Sequence, residues 1–152
     1  MSKPVIFPYG IALKEDGNTD TFPAVAVDFK TRENLRVSLF LLLDSGAALS
    51  ALPKNDAAFF GIDVEEGVLM HISGISGKPI KGWRHRMNVR LAEEDFALSV
   101  VFLNDVGAPR VLGRADVFER FTVIFEECAH RSIFLRTGSE EARSLRSMTG
   151  VR

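Results

Sequence analysis

A chain of 152 residues with 46% apolar and 26% charged residues is long and apolar enough to bury one core, which excludes a disordered polypeptide. Its 19 basic and 20 acidic residues leave a formal net charge of −1, too little positive charge for a general nucleic-acid binder. With Cys128 as its only cysteine, the chain has neither an intrachain disulfide nor a thiolate metal cluster.

The first residues, Met1-Ser2-Lys3-Pro4-Val5-Ile6-Phe7-Pro8, lack the apolar stretch of a signal peptide. The longest apolar run, residues 37–43, falls well short of the roughly 18 residues of a membrane helix. A cytoplasmic protein with no membrane partner is the expectation. Asp16-Gly17-Asn18 is turn chemistry between extended segments, so the N-terminal third reads as a meander. Residues 22–29 and 35–43 read as strands, the second apolar enough to be buried on both faces. Ala51-Leu52-Pro53 continues extended, and Pro53 opens a short helix over 54–60 that stops at Gly61.

Residues 68–72 form a further strand. A tip of small residues over 73–79 joins it to a long strand over 80–91, making a hairpin. Trp83 is expected to pack beneath that hairpin. Arg84, His85, Arg86 and Arg90 make a basic cluster that alternation splits between two faces, and it reads as solvated surface. Residues 96–103 are a strong strand, and Val111-Leu112 leads into Gly113-Arg114. A helical turn is expected over 116–120 with Asp116 near its start. Strands over 121–125 and 132–136 follow, with Phe118, Phe121 and Phe125 assigned to the core. Residues 137–152 are polar without a periodic apolar face and read as a flexible tail. Short strands about ten residues apart predict one all-β, closed, barrel-like domain over 1–136 with one or two short helices.

The chemistry concentrates at Leu43-Asp44-Ser45-Gly46-Ala47, where an acid ends a wholly apolar run. Bringing an ionised carboxylate to a buried strand end is costly without compensation, which Ser45 and the unobstructed Gly46 N–H can offer. One carboxylate is a modest catalyst. Two sharing a proton supply an acid and a base together. Within the chain no second Asp-Ser/Thr-Gly exists: Asp20-Thr21-Phe22 lacks the glycine, and Asn104-Asp105-Val106-Gly107 has the wrong order. A two-fold homodimer would have to bring the second Asp44. His71, His85 and His130 are too scattered for a zinc site on one element, so no metal is expected.

Three pieces, Asp44-Ser45-Gly46-Ala47, Gly74-Ile75-Ser76-Gly77 and Val111-Leu112-Gly113-Arg114, resemble in kind and order the retropepsin-like aspartic proteases, a dimeric single-domain group with viral and bacterial members. The likeness spans roughly 35–125. It implies the retropepsin fold, a homodimer, peptide substrates and no cofactor. Asp44 is then the catalytic acid, and Ser45 the hydroxyl that bonds across the dimer. Gly46 and Ala47 line the substrate, and Gly74, Ile75, Ser76 and Gly77 form a flap tip. Gly113 and Arg114 take structural roles. Viral members often place an acid after the alanine to pair with that arginine. Ala48 and Leu49 stand there instead, leaving Asp56 and Asp116 as possible partners of Arg114. Residues 1–34 are longer than their counterpart in compact viral enzymes. A silent peptide-binding or dimerisation module is the alternative. A phosphate-contacting loop of an ATPase is disfavoured, since no glycine-rich loop with a lysine follows and βα alternation is missing.

Overall fold

The computed structural model describes residues 2–74 and 76–150. Its strands are β1 (Val5–Pro8), β2 (Gly10–Leu13), β3 (Thr19–Phe22), β4 (Ala24–Lys30), β5 (Arg36–Leu43) and β6 (Ser50–Pro53). Then come β7 (Val68–Ser73), β8 (Pro79–Leu91), β9 (Glu94–Leu103), β10 (Val111–Leu112), β11 (Phe121–Glu126) and β12 (Arg131–Arg136), followed by helix α1 (Glu140–Met148). The fold is all-β, as the spacing of short apolar runs predicts. What reads as one strand over 22–29 is cut at Pro23, which cannot donate to a ladder, so that β3 ends and β4 begins there.

The main sheet runs β4-β5-β10-β6-β9-β8-β7, and a further pairing of β4 with β8 closes its strands into a ring with β7 outside. Alternation decides which side chains fill that ring. On β5, Leu39, Leu41 and Leu43 are buried; on β8, Met87, Val89 and Leu91; on β9, Phe96, Leu98, Val100 and Phe102. Phe29 and Phe102 both pack on Phe60, at ring-centroid distances of 5.0 and 6.2 Å. Phe60 comes from the 3-10 segment Lys54–Phe60, where the sequence predicts a helix, and Gly61 ends it at φ 67°. Loss of any one of these rings would cost about 3–5 kcal/mol.

A second sheet, β1-β12-β11, packs Phe7 and Phe121 each against Phe134. Phe121 belongs to the core as expected, but Phe125 is 39% exposed. The two share one face of β11, and burial falls along the strand from Phe121, packed on Phe134, to Phe125 near its other end. β2 and β3 form a separate two-stranded hairpin.

Two further expectations about the fold are corrected. Residues 137–152 contain helix α1, which Ser139 caps by accepting a hydrogen bond from the Ala142 N–H. Ala142 is fully buried and Leu145 half-buried, a stripe too short to register as periodicity. The strand expected to be buried on both faces, β5, buries Leu39, Leu41 and Leu43 but leaves Phe40 71% exposed on the other side. Residues 116–120 do contain the expected helical turn, in which the Phe121 N–H donates to the Val117 carbonyl at 3.0 Å.

Candidate active site

The Asp44 loop is fixed by the strand that crosses it. β10 lies parallel to β5 and antiparallel to β6, with Val111 opposite both Leu42 and Ala51. The last N–H groups of the β5 run are each held: Leu42 donates to the Arg110 carbonyl at 2.8 Å, Leu43 to Pro23 at 2.8 Å, and Asp44 to Leu112 at 3.0 Å. Beyond the crossing, Arg114 N–H donates to the Ala47 carbonyl at 2.9 Å and Ala115 N–H to Ala48 at 3.0 Å. The chain on either side of Asp44 is therefore tied to one segment, 110–115, from far along the sequence.

Gly113 is the pivot of this crossing. A Cβ there would stand 2.4 Å from the Leu49 carbonyl oxygen and 3.0 Å from that of Ala47, so only glycine fits. Its N–H is buried and donates to Ser50 Oγ at 3.0 Å. Ser50 is itself fully buried, and sequence reasoning missed it. A lone buried serine carries no local signal, since its partner lies 63 residues away.

The crossing leaves Asp44 half-buried, with its Oδ1 accepting from the Gly46 N–H at 2.8 Å. A Cβ on Gly46 would come within 3.1 Å of that same oxygen, so glycine keeps the carboxylate uncrowded. Ser45 and Gly46 are exposed and Ala47 half-buried. Asp44, Ser45, Gly46, Ala47, Gly113 and the Arg114 backbone thus meet in one place, although the first and last are far apart in sequence.

Gly74, Ser76 and Gly77 lie elsewhere, at the exposed end of the hairpin β7–β8. Gly77 N–H closes the turn on the Gly74 carbonyl at 2.9 Å, with Gly77 at φ 70°. Ile75, the remaining residue of this predicted group, lies outside the described residues. Trp83 is buried below the hairpin with the Lys81 ammonium 4.9 Å above its ring, which is the packing role expected of it.

Neither acid expected to pair with Arg114 does so. Asp56, almost fully buried, binds Arg110 through two hydrogen bonds, from Nε at 2.7 Å and from Nη2 at 3.0 Å. The side-chain hydrogen bond holds the Arg110 guanidinium above its ordinary range. Asp116 accepts from Arg86 Nη1 and from the Ser99 N–H, both at 2.9 Å. Desolvation pushes its carboxyl pKa up, but those hydrogen bonds and the Arg86 charge outweigh it and leave the value below the usual range. Its carboxylate is thus engaged by β8 through Arg86 and by β9 through Ser99. Arg114 is exposed, and no ion pair of its side chain occurs among the described residues.

Among the described residues no group of three or more His, Cys, Asp and Glu is arranged to hold a metal ion. No helix among them is long and apolar enough to cross a membrane.

No protein-family model matches this chain, and no curated protein matches it in sequence. Solved structures do. A retropepsin-like aspartic protease from Rickettsia conorii superposes with a TM-score of 0.57 over 87% of this chain and 90% of that one, at 17% identity. The EIAV protease complexed with the inhibitor HBY-793 matches over 61% of this chain and 82% of that one, at 18% identity and a TM-score of 0.47. Ring topology, a strand crossing the Asp44 loop, and the Rickettsia likeness together establish that this chain has the retropepsin-like fold.

Proposed function

We propose that the protein is a homodimeric aspartic endopeptidase in which Asp44 of each of two copies forms the catalytic pair. The observation that carries this reading is the bracing of the Asp44 loop by β10. Backbone bonds hold the loop on both sides of the acid, yet Asp44 stays half-buried and Ser45 and Gly46 stay exposed. A purely structural turn aspartate needs no such crossing, and an acid facing a second copy needs both rigidity and access.

In the pair, one carboxylate is ionised and the other protonated, because two negative charges a few Å apart are strongly disfavoured. The ionised member takes a proton from a water, whose oxygen attacks the peptide carbonyl carbon. The protonated member donates to the carbonyl oxygen as that oxygen gains charge. The tetrahedral adduct then collapses: the amide nitrogen receives a proton, the C–N bond breaks, and the pair again holds one proton. Ser45 would bond to the partner's loop and keep the two acids in register. The β7–β8 hairpin would act as the flap, with Gly74, Ser76 and Gly77 free to change backbone conformation as it closes on an extended peptide.

The test is cleavage of an unfolded protein such as reduced casein between about pH 4 and 6, where a shared proton is retained. The wild type is expected to cleave it. Asp44→Asn should lower the rate by at least about a thousandfold with an unchanged thermal midpoint. Cleavage that survives Asp44→Asn would refute the mechanism. An inert but dimeric wild type would favour the silent peptide-binding module.

A further inference from the structure

The β2–β3 hairpin holds a fixed shape, yet its apolar face is left bare. It forms a sheet of its own, with Ile11 opposite Thr21 and Leu13 opposite Thr19. Opposed residues share a face, so Ile11, Leu13, Thr19 and Thr21 make one side of the ribbon. Ile11 is 72% and Leu13 77% exposed. A hairpin of two strands has no core of its own and is marginal in water, so an aliphatic pair on it stabilises only when something covers it.

Local bonds order the hairpin in advance and fix where it springs from. In its turn the Lys14 N–H donates to the Asn18 carbonyl at 2.8 Å, and Asp16 Oδ1 accepts from the Asn18 N–H at 2.9 Å. Lys14 and Asp20 pair across the ribbon at 3.3 Å. At the base, Phe22 lies over Gly10, where a Cβ would stand 2.8 Å from the ring. One stem is tied to the turn before β12, the Tyr9 N–H donating to the His130 carbonyl at 2.8 Å. The other is tied to β5, where the Pro23 carbonyl accepts from the Leu43 N–H at 2.8 Å. Leu43 immediately precedes Asp44, so the hairpin starts from the same end of β5 as the acid. Strand geometry places the Ile11–Thr21 pair about 7 Å, and the Leu13–Thr19 pair about 13 Å, out from that root.

We propose that this hairpin is an arm that lays its Ile11–Leu13 face on a second copy of the chain and so holds the two Asp44 loops together. Size favours that partner. The Asp44 loop presents only Ser45, Gly46 and half-buried Ala47, small residues that cover a minor part of the about 800 Å² per partner of a stable interface. Two symmetry-related arms rooted beside the loop each add an aliphatic face, and an arm already ordered loses little entropy on docking. Charge favours it too. Glu15, Asp16 and Asp20 outnumber Lys14 at the outer end of the arm. Exposed Arg114, whose N–H is bound to Ala47, has no ion pair of its side chain among the described residues. The same acids disfavour an anionic lipid surface as the occupant. That the arms flank a catalytic pair rests on the peptidase reading, whereas self-association through them does not.

The experiment compares the wild type with the double variant Ile11→Ser/Leu13→Ser by sedimentation equilibrium over a wide range of protein concentration. Both residues are exposed, so the serines leave the fold intact. The wild type is expected to be a dimer. The variant's dissociation constant should rise at least about a hundredfold, as when two aliphatic side chains leave an interface. In the wild type, hydrogen exchange at the β2 and β3 amides should slow as the dimer forms, a readout that needs no variant. A dimer of unchanged strength in the variant, or hairpin amides that exchange alike at every concentration, overturns the arm and leaves the homodimeric peptidase standing. Capture of the protein by phosphatidylserine vesicles, lost in the variant, would assign the face to a membrane and also overturn the arm. A wild type that is monomeric at every concentration overturns both readings. Arm-dependent dimers that cut nothing would sink the peptidase reading alone.

Discussion

Two glycine-bearing regions of the molecule are built on opposite principles. At the crossing, Gly113 is enclosed by the Leu49 and Ala47 carbonyls, its N–H is held by buried Ser50, and the chain on both sides of Asp44 is hydrogen-bonded to 110–115. At the tip of β7–β8, nothing among the described residues lies within 4 Å of a Cβ placed on Gly74 or Gly77. The same residue type serves close approach in one region and conformational freedom in the other. A carboxylate pair needs its acids held in place, while a covering hairpin needs room to move.

The largest effect is expected at the crossing. Gly113→Ala sets a methyl against backbone that cannot retreat and should cost at least about 3 kcal/mol, read as the urea midpoint. An unchanged midpoint would mean that the crossing is looser than its distances indicate. Next in size is Arg110→Ala, which leaves the Asp56 carboxylate buried without its partner. Because the Arg110 side chain is 40% exposed, water can reach part of the gap, and a loss of about 2 kcal/mol is expected by the same assay.

Acid should loosen the other brace. The Asp116 carboxyl is held below its ordinary value of 3.8, so its ion pair with Arg86 contributes fully above that value. The contribution is lost as pH falls through the lowered folded-state value. Comparing wild type with Asp116→Asn from about pH 6 to pH 2 should show the two stability curves converging at the acid end. Parallel curves would remove Asp116 from the brace. The smallest effects belong to the hairpin tip. Gly77→Ala, at φ 70°, should cost about 1 kcal/mol, and Gly74→Ala less than about 0.5 kcal/mol. A large loss at Gly74 would show that the tip is packed rather than open.

What was legible in the sequence was local. The apolar run ending in Asp44-Ser45-Gly46 announced both a buried strand and its unusual terminus, and Gly61 marked the end of the segment opened by Pro53. Pairings across long separations were not legible. Asp56 stands in the sequence as a possible partner of Arg114, but its partner is Arg110, 54 residues away. Asp116 reads as the start of a helical turn, but its carboxylate goes to Arg86 and to the Ser99 N–H, 30 and 17 residues away. Helix α1 escaped notice because burying Ala142 and Leu145 leaves almost no apolar stripe to see. The apolar run over 35–43 reads as buried on both faces, and only the fold shows that Phe40 is turned outward.

The central claim is that two copies bring their Asp44 side chains together, and a crystal structure of the assembled protein measures this directly. Carboxylate oxygens within about 3 Å of one another across a two-fold axis, close enough to share a proton, are the predicted result. Asp44 carboxylates facing bulk water, or kept apart in every two-fold assembly, would contradict it.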